Sequence, residues 1–189
     1  MSEQRTRYFQ PYFLEDKSGR LTGSEFIDLY ERIRLSYRCT RRPTNTVGAQ
    51  FSILELSSPR EDAYTNAVSV LDYQPGNALG TVYFGNRPQS MARYLRKVSD
   101  SGSSLHRKYI SQDGNEYRWS YRTHEDHEWT CVDSSGSVVA FYHLKIAGEP
   151  HYESSSGCML TVEENYGDYA FEFLTSCLIM RYIKEYDIQ

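Results

Sequence analysis

Hydrophobic and polar positions fall into three regimes along the chain. Near the N-terminus, Phe26, Ile27, Leu29, Tyr30, Ile33 and Leu35 recur close to helical spacing. They follow Thr22-Gly23-Ser24-Glu25, a capping-box pattern in which Glu25 reaches back to the Thr22 amide. The spacing predicts one amphipathic helix from Glu25 to Tyr37, within an N-terminal extension (1–45) packed on a main domain (46–189). From Ala49 onwards the pattern becomes that of strands: Phe51 to Leu56, Ala67 to Tyr73, Gly80 to Phe84, Leu105 to Ser111, Glu116 to Arg122, Glu128 to Val132, Ser137 to Ile146 and Cys158 to Val162. Turn signals separate them, among them Gln74-Pro75-Gly76-Asn77, Gly85-Asn86, Asp113-Gly114, Ser134-Ser135-Gly136 and Ala147-Gly148-Glu149-Pro150. Evenly spaced short strands predict a closed sheet or a sandwich. The third regime runs from Tyr169 to Tyr186, with apolar residues on almost every side and neither Gly nor Pro. That marks a buried helix. Glu172 and Arg181 interrupt it, and it is too short for a bilayer that needs about 20 apolar residues. A mainly β (α+β) fold is expected: an antiparallel β-barrel, or a highly curved sheet, wrapped around an apolar C-terminal helix.

Composition sharpens this picture without naming an activity. The 189 residues include 17 Tyr, and aromatic content is 14% although mean hydropathy is -0.65. Tyrosine suits sheet walls, because its ring packs on a pleated face while its hydroxyl finds a polar partner. A net charge of -4 and a pI of about 5.8 provide no basic field for nucleic acid. The local basic clusters read as solvated surface: Arg38, Arg41 and Arg42; Arg93, Arg96 and Lys97; His106, Arg107 and Lys108. Met1 to Arg5 has no apolar signal core, and no Asn-x-Ser/Thr sequon occurs. Cys39, Cys131, Cys158 and Cys177 show no CxxC spacing, and Cys131 and Cys177 stand among apolar neighbours as buried thiols. A reducing, cytoplasmic location is expected.

The most specific segment is Asp113-Gly114-Asn115-Glu116-Tyr117-Arg118-Trp119, where Asp-Gly signals a hairpin with a type I′ turn, φ > 0 at both central residues, followed by an alternating aromatic strand. Tyr117 and Trp119 are expected to face the C-terminal helix, with Arg118 outside. Around it stand, in order, Gly80-Thr81-Val82-Tyr83-Phe84-Gly85, Tyr94-Leu95, Arg107, Val132-Asp133, Val138-Val139-Ala140-Phe141-Tyr142, Leu160-Thr161-Val162 and the helix from Phe171 to Tyr182. With this order, from Phe51 to the C-terminus, the chain resembles the fungal (mushroom-type) domain family DUF6593. That family more distantly resembles the tubby and LURP-one-related barrels. The resemblance implies a closed antiparallel sheet filled by the C-terminal helix. It implies no mechanism, because function is argued from a site and not from a fold. Many relatives carry a basic tail after the helix, whereas this chain reads Glu185-Tyr186-Asp187-Ile188-Gln189 there, which weighs against an electrostatic membrane role.

Several constellations could carry chemistry. Asp16, Ser18, Gly19, Leu21 and Glu25 match later positions of an EF-hand loop, but the first ligand position is Leu14, which cannot bind calcium. The run His124-Glu125-Asp126-His127-Glu128 concentrates imidazoles and carboxylates between two strands, where it also suits an exposed hairpin loop. His143, His151 and Glu153 are the acid-base candidates, and Tyr142 and Tyr152 the ligand-binding ones, grouped around one turn at a barrel end. Ser154-Ser155-Ser156-Gly157 is a linker without a GxSxG elbow, and neither a P-loop nor a GxGxxG fingerprint occurs. No cofactor is expected. The leading expectation is an intracellular β-barrel module binding a lipid, an apolar small molecule or a protein partner. The alternative is a small cofactor-independent cyclase, isomerase or hydrolase of fungal secondary metabolism. A third reading makes the helix from Glu25 to Tyr37 a contact surface for a partner.

Overall fold

The computed structural model describes residues 10–56, 67–145, 148 and 153–189. Thirteen strands among these residues form one antiparallel sheet. They are β1 (Tyr12–Asp16), β2 (Gly23–Asp28), β3 (Arg34–Arg41), β4 (Gln50–Glu55), β5 (Ala67–Gln74), β6 (Ala78–Phe84), β7 (Arg87–Ser90), β8 (Arg96–Lys97), β9 (His106–Ile110), β10 (Glu116–Tyr121), β11 (Trp129–Val132), β12 (Val138–His143) and β13 (Cys158–Val162). The sheet order is β7-β6-β5-β4-β3-β2-β1-β13-β12-β11-β10-β9-β8. Each strand pairs with its neighbours in sequence except β7 with β8, and the pairing of β1 with β13 joins the two halves. The sheet ends at β7 and β8, and the one-turn helix α1 (Met91–Tyr94) links them.

Helix α2 (Ala170–Glu185) is the core around which this sheet curves. Thirteen of its 16 residues are buried, from Ala170 through Ile183 with only Phe171 partly open. Its side chains meet strands from both halves of the sheet. Tyr182 stacks on Tyr73 of β5 at 3.6 Å between ring centroids, and Phe173 meets Tyr117 of β10 edge-on at 5.2 Å. A helix apolar on every side cannot rest on one flat face, so burying it requires strands all round. As expected from the alternation, Tyr117 and Trp119 point inward and Arg118 is exposed. Cys131 and Cys177 are buried thiols, and all four cysteines are free.

The expected N-terminal helix is absent. Its residues form β2, a turn and β3, and β3 continues by pairing with β4 in the same sheet. Phe26 and Leu35, read from sequence as neighbours on a helical stripe, are cross-strand partners, and both are buried. Leu29 and Tyr30 sit in the turn with more than half their surface exposed. The turn closes because the Asp28 carboxylate takes the Arg32 guanidinium at 2.7 and 2.9 Å and also accepts from the Phe13 amide. Arg32 in turn lies 4.0 Å over the Tyr12 ring. Glu25, read as a capping-box residue, pairs instead with Arg34 across the hairpin. Local spacing suggested a helix, and long-range pairing with β1 and β4 decided for strands.

Two smaller expectations also change. At Asp113-Gly114 only Gly114 takes positive φ, so the hairpin is a longer Ser111–Asn115 turn and not a two-residue type I′ turn. Arg107 is not solvated surface. It is buried, donating to the carbonyls of Leu95 and Ser104 and so tying the α1–β8 connection to β9. Among the described residues, no helix is long and apolar enough to cross a membrane.

Ile179 has no exposed surface at the middle of α2. Ile179→Ala is expected to lower stability by about 2–5 kcal/mol, through lost burial and the cavity left behind. A urea titration checks this, with a lower midpoint and an unchanged slope.

Candidate functional site

Two polar sites lie against α2, one near each end. Near the C-terminal end, Asp16 of β1 is fully buried. Its Oδ1 accepts the Gly19 amide at 2.8 Å and the Ser24 hydroxyl, and its Oδ2 accepts the Tyr142 hydroxyl at 2.8 Å. Arg181 of α2 donates Nη1 to the same Oδ2 at 3.2 Å and Nη2 to the Gly19 carbonyl at 2.8 Å. Its guanidinium also lies 4.4 Å over the Tyr142 ring. Burial drives the Tyr142 hydroxyl far above its ordinary range, against the pull of Arg181, so it stays a donor. The EF-hand-like residues are thus committed to structure: Asp16 holds Arg181, and Glu25 holds Arg34. Among the described residues, no group of three or more His, Cys, Asp or Glu is placed to hold a metal ion.

Beside this network a cleft of about 440 Å³ opens between the Gly19–Thr22 turn, Trp129, Leu144 and the end of α2 with Arg181, Lys184 and Tyr186. Lys184 bonds Glu128 at 3.1 Å across it. Trp129 is fully buried, and its indole N–H is one of six buried side-chain polar atoms without a partner among the described residues; it is the one of these that belongs to a residue lining the cleft. A buried donor left without a partner is uncommon, because its desolvation costs roughly 1–3 kcal/mol.

Near the N-terminal end of α2, Glu172 is a buried carboxylate with three donors. Tyr94 of α1 reaches Oε1 at 3.1 Å, while the Ser111 hydroxyl and the Gln112 amide reach Oε2 at 2.6 and 3.1 Å. Burial raises the Glu172 pKa, and the bonds from Ser111, Gln112 and Tyr94 only partly offset this. Glu172 lines a pocket of about 240 Å³ together with residues of β6, β7, α1 and β9.

The sequence-derived site residues are dispersed. Tyr142 points inward to Asp16, whereas the next residue, His143, is half-buried on the opposite face of β12, where its ring shares a face with Phe141. Glu153 is exposed. His151 and Tyr152 lie outside the described residues. The His124–Glu128 run does form the expected connection between β10 and β11, and His127 stacks on Phe141 at 3.9 Å. Burial lowers the His127 pKa, and the neighbouring His124 and His143 lower it further. In the sequence, Glu172 and Arg181 stand out only as interruptions of the apolar helix. A charge inside a buried helix is itself a signal, because it requires a buried partner.

Asp16 and Arg181 form a desolvated pair, and removing one partner leaves the other charge uncompensated. Asp16→Ala is expected to lose about 3–5 kcal/mol of stability in chemical denaturation, with much of it restored by the double variant Asp16→Leu/Arg181→Met. Glu172 gives a pH signature. Its folded pKa lies above the ordinary 4.5, so its contribution to stability is full below that value and is lost as pH rises through the raised one. The groups facing it are Tyr94, Ser111, Gln112 and Asp113, with Arg87 in the same pocket. Denaturation midpoints measured across that window are expected to fall with pH in the wild type and to flatten in Glu172→Gln.

Compared with known proteins, the chain matches no family model, no curated protein and no solved structure.

Proposed function

We propose that the protein is a non-catalytic binding module whose sheet and central helix form a rigid frame. Its ligand seat is the cleft against the last turns of α2. The ligand class is an apolar small molecule bearing a hydrogen-bond acceptor. The observation that carries this reading is that Trp129, which lines the cleft, holds a buried N–H with no acceptor among the described residues. Leu21 and Leu144 supply apolar lining; Arg181 and Lys184 are paired with Asp16 and Glu128, Glu185 also lines the cleft, and Arg20 is the lining cation without a carboxylate partner among the described residues. Such a division, apolar walls with a few placed polar groups, is how small-molecule sites obtain affinity and orientation.

The interior supports binding at the surface. Side chains of α2 fill it, and their polar groups are taken up by the strands, as in Ser69 with Thr175 and Trp119 with Ser176. The acid-base alternative needs His143, His151 and Glu153 to converge, and His143 faces away from the interior. One antiparallel sheet around an apolar C-terminal helix is compatible with a closed barrel of the tubby and LURP-one kind and with DUF6593 kinship. Four free cysteines fit a reducing, cytoplasmic setting.

Decanoate is a suitable probe, with one apolar chain and one acceptor head. Saturable binding by calorimetry is expected, weakened several-fold in Trp129→Phe, which keeps a ring but removes the donor, and in Leu144→Asp. Absence of decanoate binding to the folded protein, or wild-type affinity in both variants, would remove the proposal.

A further inference from the structure

The pocket at the other end of α2 occupies the gap between the two ends of the sheet. Phe84 of β6 and Arg87, Pro88 and Gln89 of β7 come from one end, and Ile110 of β9 with Ser111 and Gln112 from the other. No ladder joins β7 to β8, and α1 lies across the interval with Met91, Tyr94 and Leu95 buried. There the wall that covers α2 is interrupted, and the interior carboxylate of Glu172 becomes part of a pocket lining. In the middle of the helix, by contrast, Thr175 and Ser176 face Ser69 and Trp119.

From this juxtaposition of a buried carboxylate with aromatic and apolar lining at the sheet gap, we propose that the pocket binds a small organic ammonium ion. Glu172 already accepts three hydrogen bonds, and a carboxylate with about four lone-pair sites retains room for one more donor. Those three donors hold the carboxylate in place, and a fourth, cationic donor would supply the charge that burial otherwise withholds. Phe84 and Tyr94 lie 5.3 Å apart between centroids with their planes at 60°. Rings in a pocket of this kind favour cations, because a ring face attracts positive charge within about 6 Å. Ile110 and Pro88 suit an alkyl chain rather than a second charge. The volume of about 240 Å³ is below the roughly 300–1,000 Å³ of drug-sized sites, which limits the ligand to a short amine. Arg87 also lines the pocket, but its side chain is exposed, so solvent screens its charge from the interior. This site is separate from the cleft at the C-terminal end of α2, and the inference stands or falls independently of that proposal.

The test uses n-butylammonium, its neutral analogue n-butanol and its anionic analogue butanoate, each titrated into the full chain at neutral and at mildly alkaline pH. Calorimetry gives affinity, and amide shifts at Ile110 and Gln112 locate the ligand. The expected result is saturable binding of n-butylammonium with shifts at both residues and at least tenfold weaker binding of n-butanol. Glu172→Gln should weaken ammonium binding by about tenfold or more. Phe84→Leu, which leaves the carboxylate in place, should weaken it several-fold. Thermal melts confirm that each variant is folded. Failure of n-butylammonium to bind, tighter binding of butanoate, or unchanged affinity in folded Glu172→Gln and Phe84→Leu would overturn the proposal.

Discussion

Helix α2 is buried on almost every side, yet it carries Glu172, Thr175, Ser176 and Arg181 among its apolar residues, and each of these must find a partner in the sheet. Unpaired, each buried polar side chain would cost on the order of 1–3 kcal/mol, and a charge considerably more. The partners come from elements far apart in the chain: Tyr94 and Ser111 for Glu172, Ser69 for Thr175, Trp119 for Ser176, Asp16 and Tyr142 for Arg181. Apolar burial supplies the driving force for enclosing the helix, but it is non-directional. The polar pairs give direction. A shift of the helix by one residue along its axis, about 1.5 Å, would break several of them together.

This constraint also places the two candidate sites. The Asp16–Arg181 network joins the Gly19 turn to the last turns of α2, and the cleft with Trp129 lies against that junction. At the other end, the sheet runs out at β7 and β8, and α1 fills only part of the interval. Glu172 needs donors, and it takes them from the elements that border the gap. Both sites thus follow from how a helix with a few polar side chains is sealed inside a sheet whose ends are not paired to each other.

The sequence made some of this legible and hid the rest for identifiable reasons. Strands β4, β5, β6 and β9 to β13 announce themselves by alternation between turn signals, and α2 by an apolar run without Gly or Pro. Strands β7 and β8 are short, and β7 is exposed throughout, so hydrophobic alternation gives no signal there. The hairpin of β2 and β3 mimics a helix in sequence because its turn residues Leu29 and Tyr30 are apolar but exposed, which completes a false helical stripe. Its true pattern is cross-strand symmetry, with Phe26 opposite Leu35 and Ser24 opposite Tyr37. The candidate sites were hidden for a different reason. Asp16 and Arg181 are 165 positions apart, and Glu172 meets Tyr94 across 78. No local pattern encodes such a pairing, although two charges within the buried, mainly apolar part of α2 indicate that pairings exist.

The central claim is that α2 and the strands from both halves of the sheet are locked into one cooperative unit by buried polar pairs. Native-state amide hydrogen exchange measures this most directly. Protection is expected to reach the global unfolding free energy for the middle of α2 and for β1, β5 and β10 alike, with the same denaturant dependence. Exchange of α2 through a lower-energy opening that leaves β1, β5 and β10 protected would contradict the account.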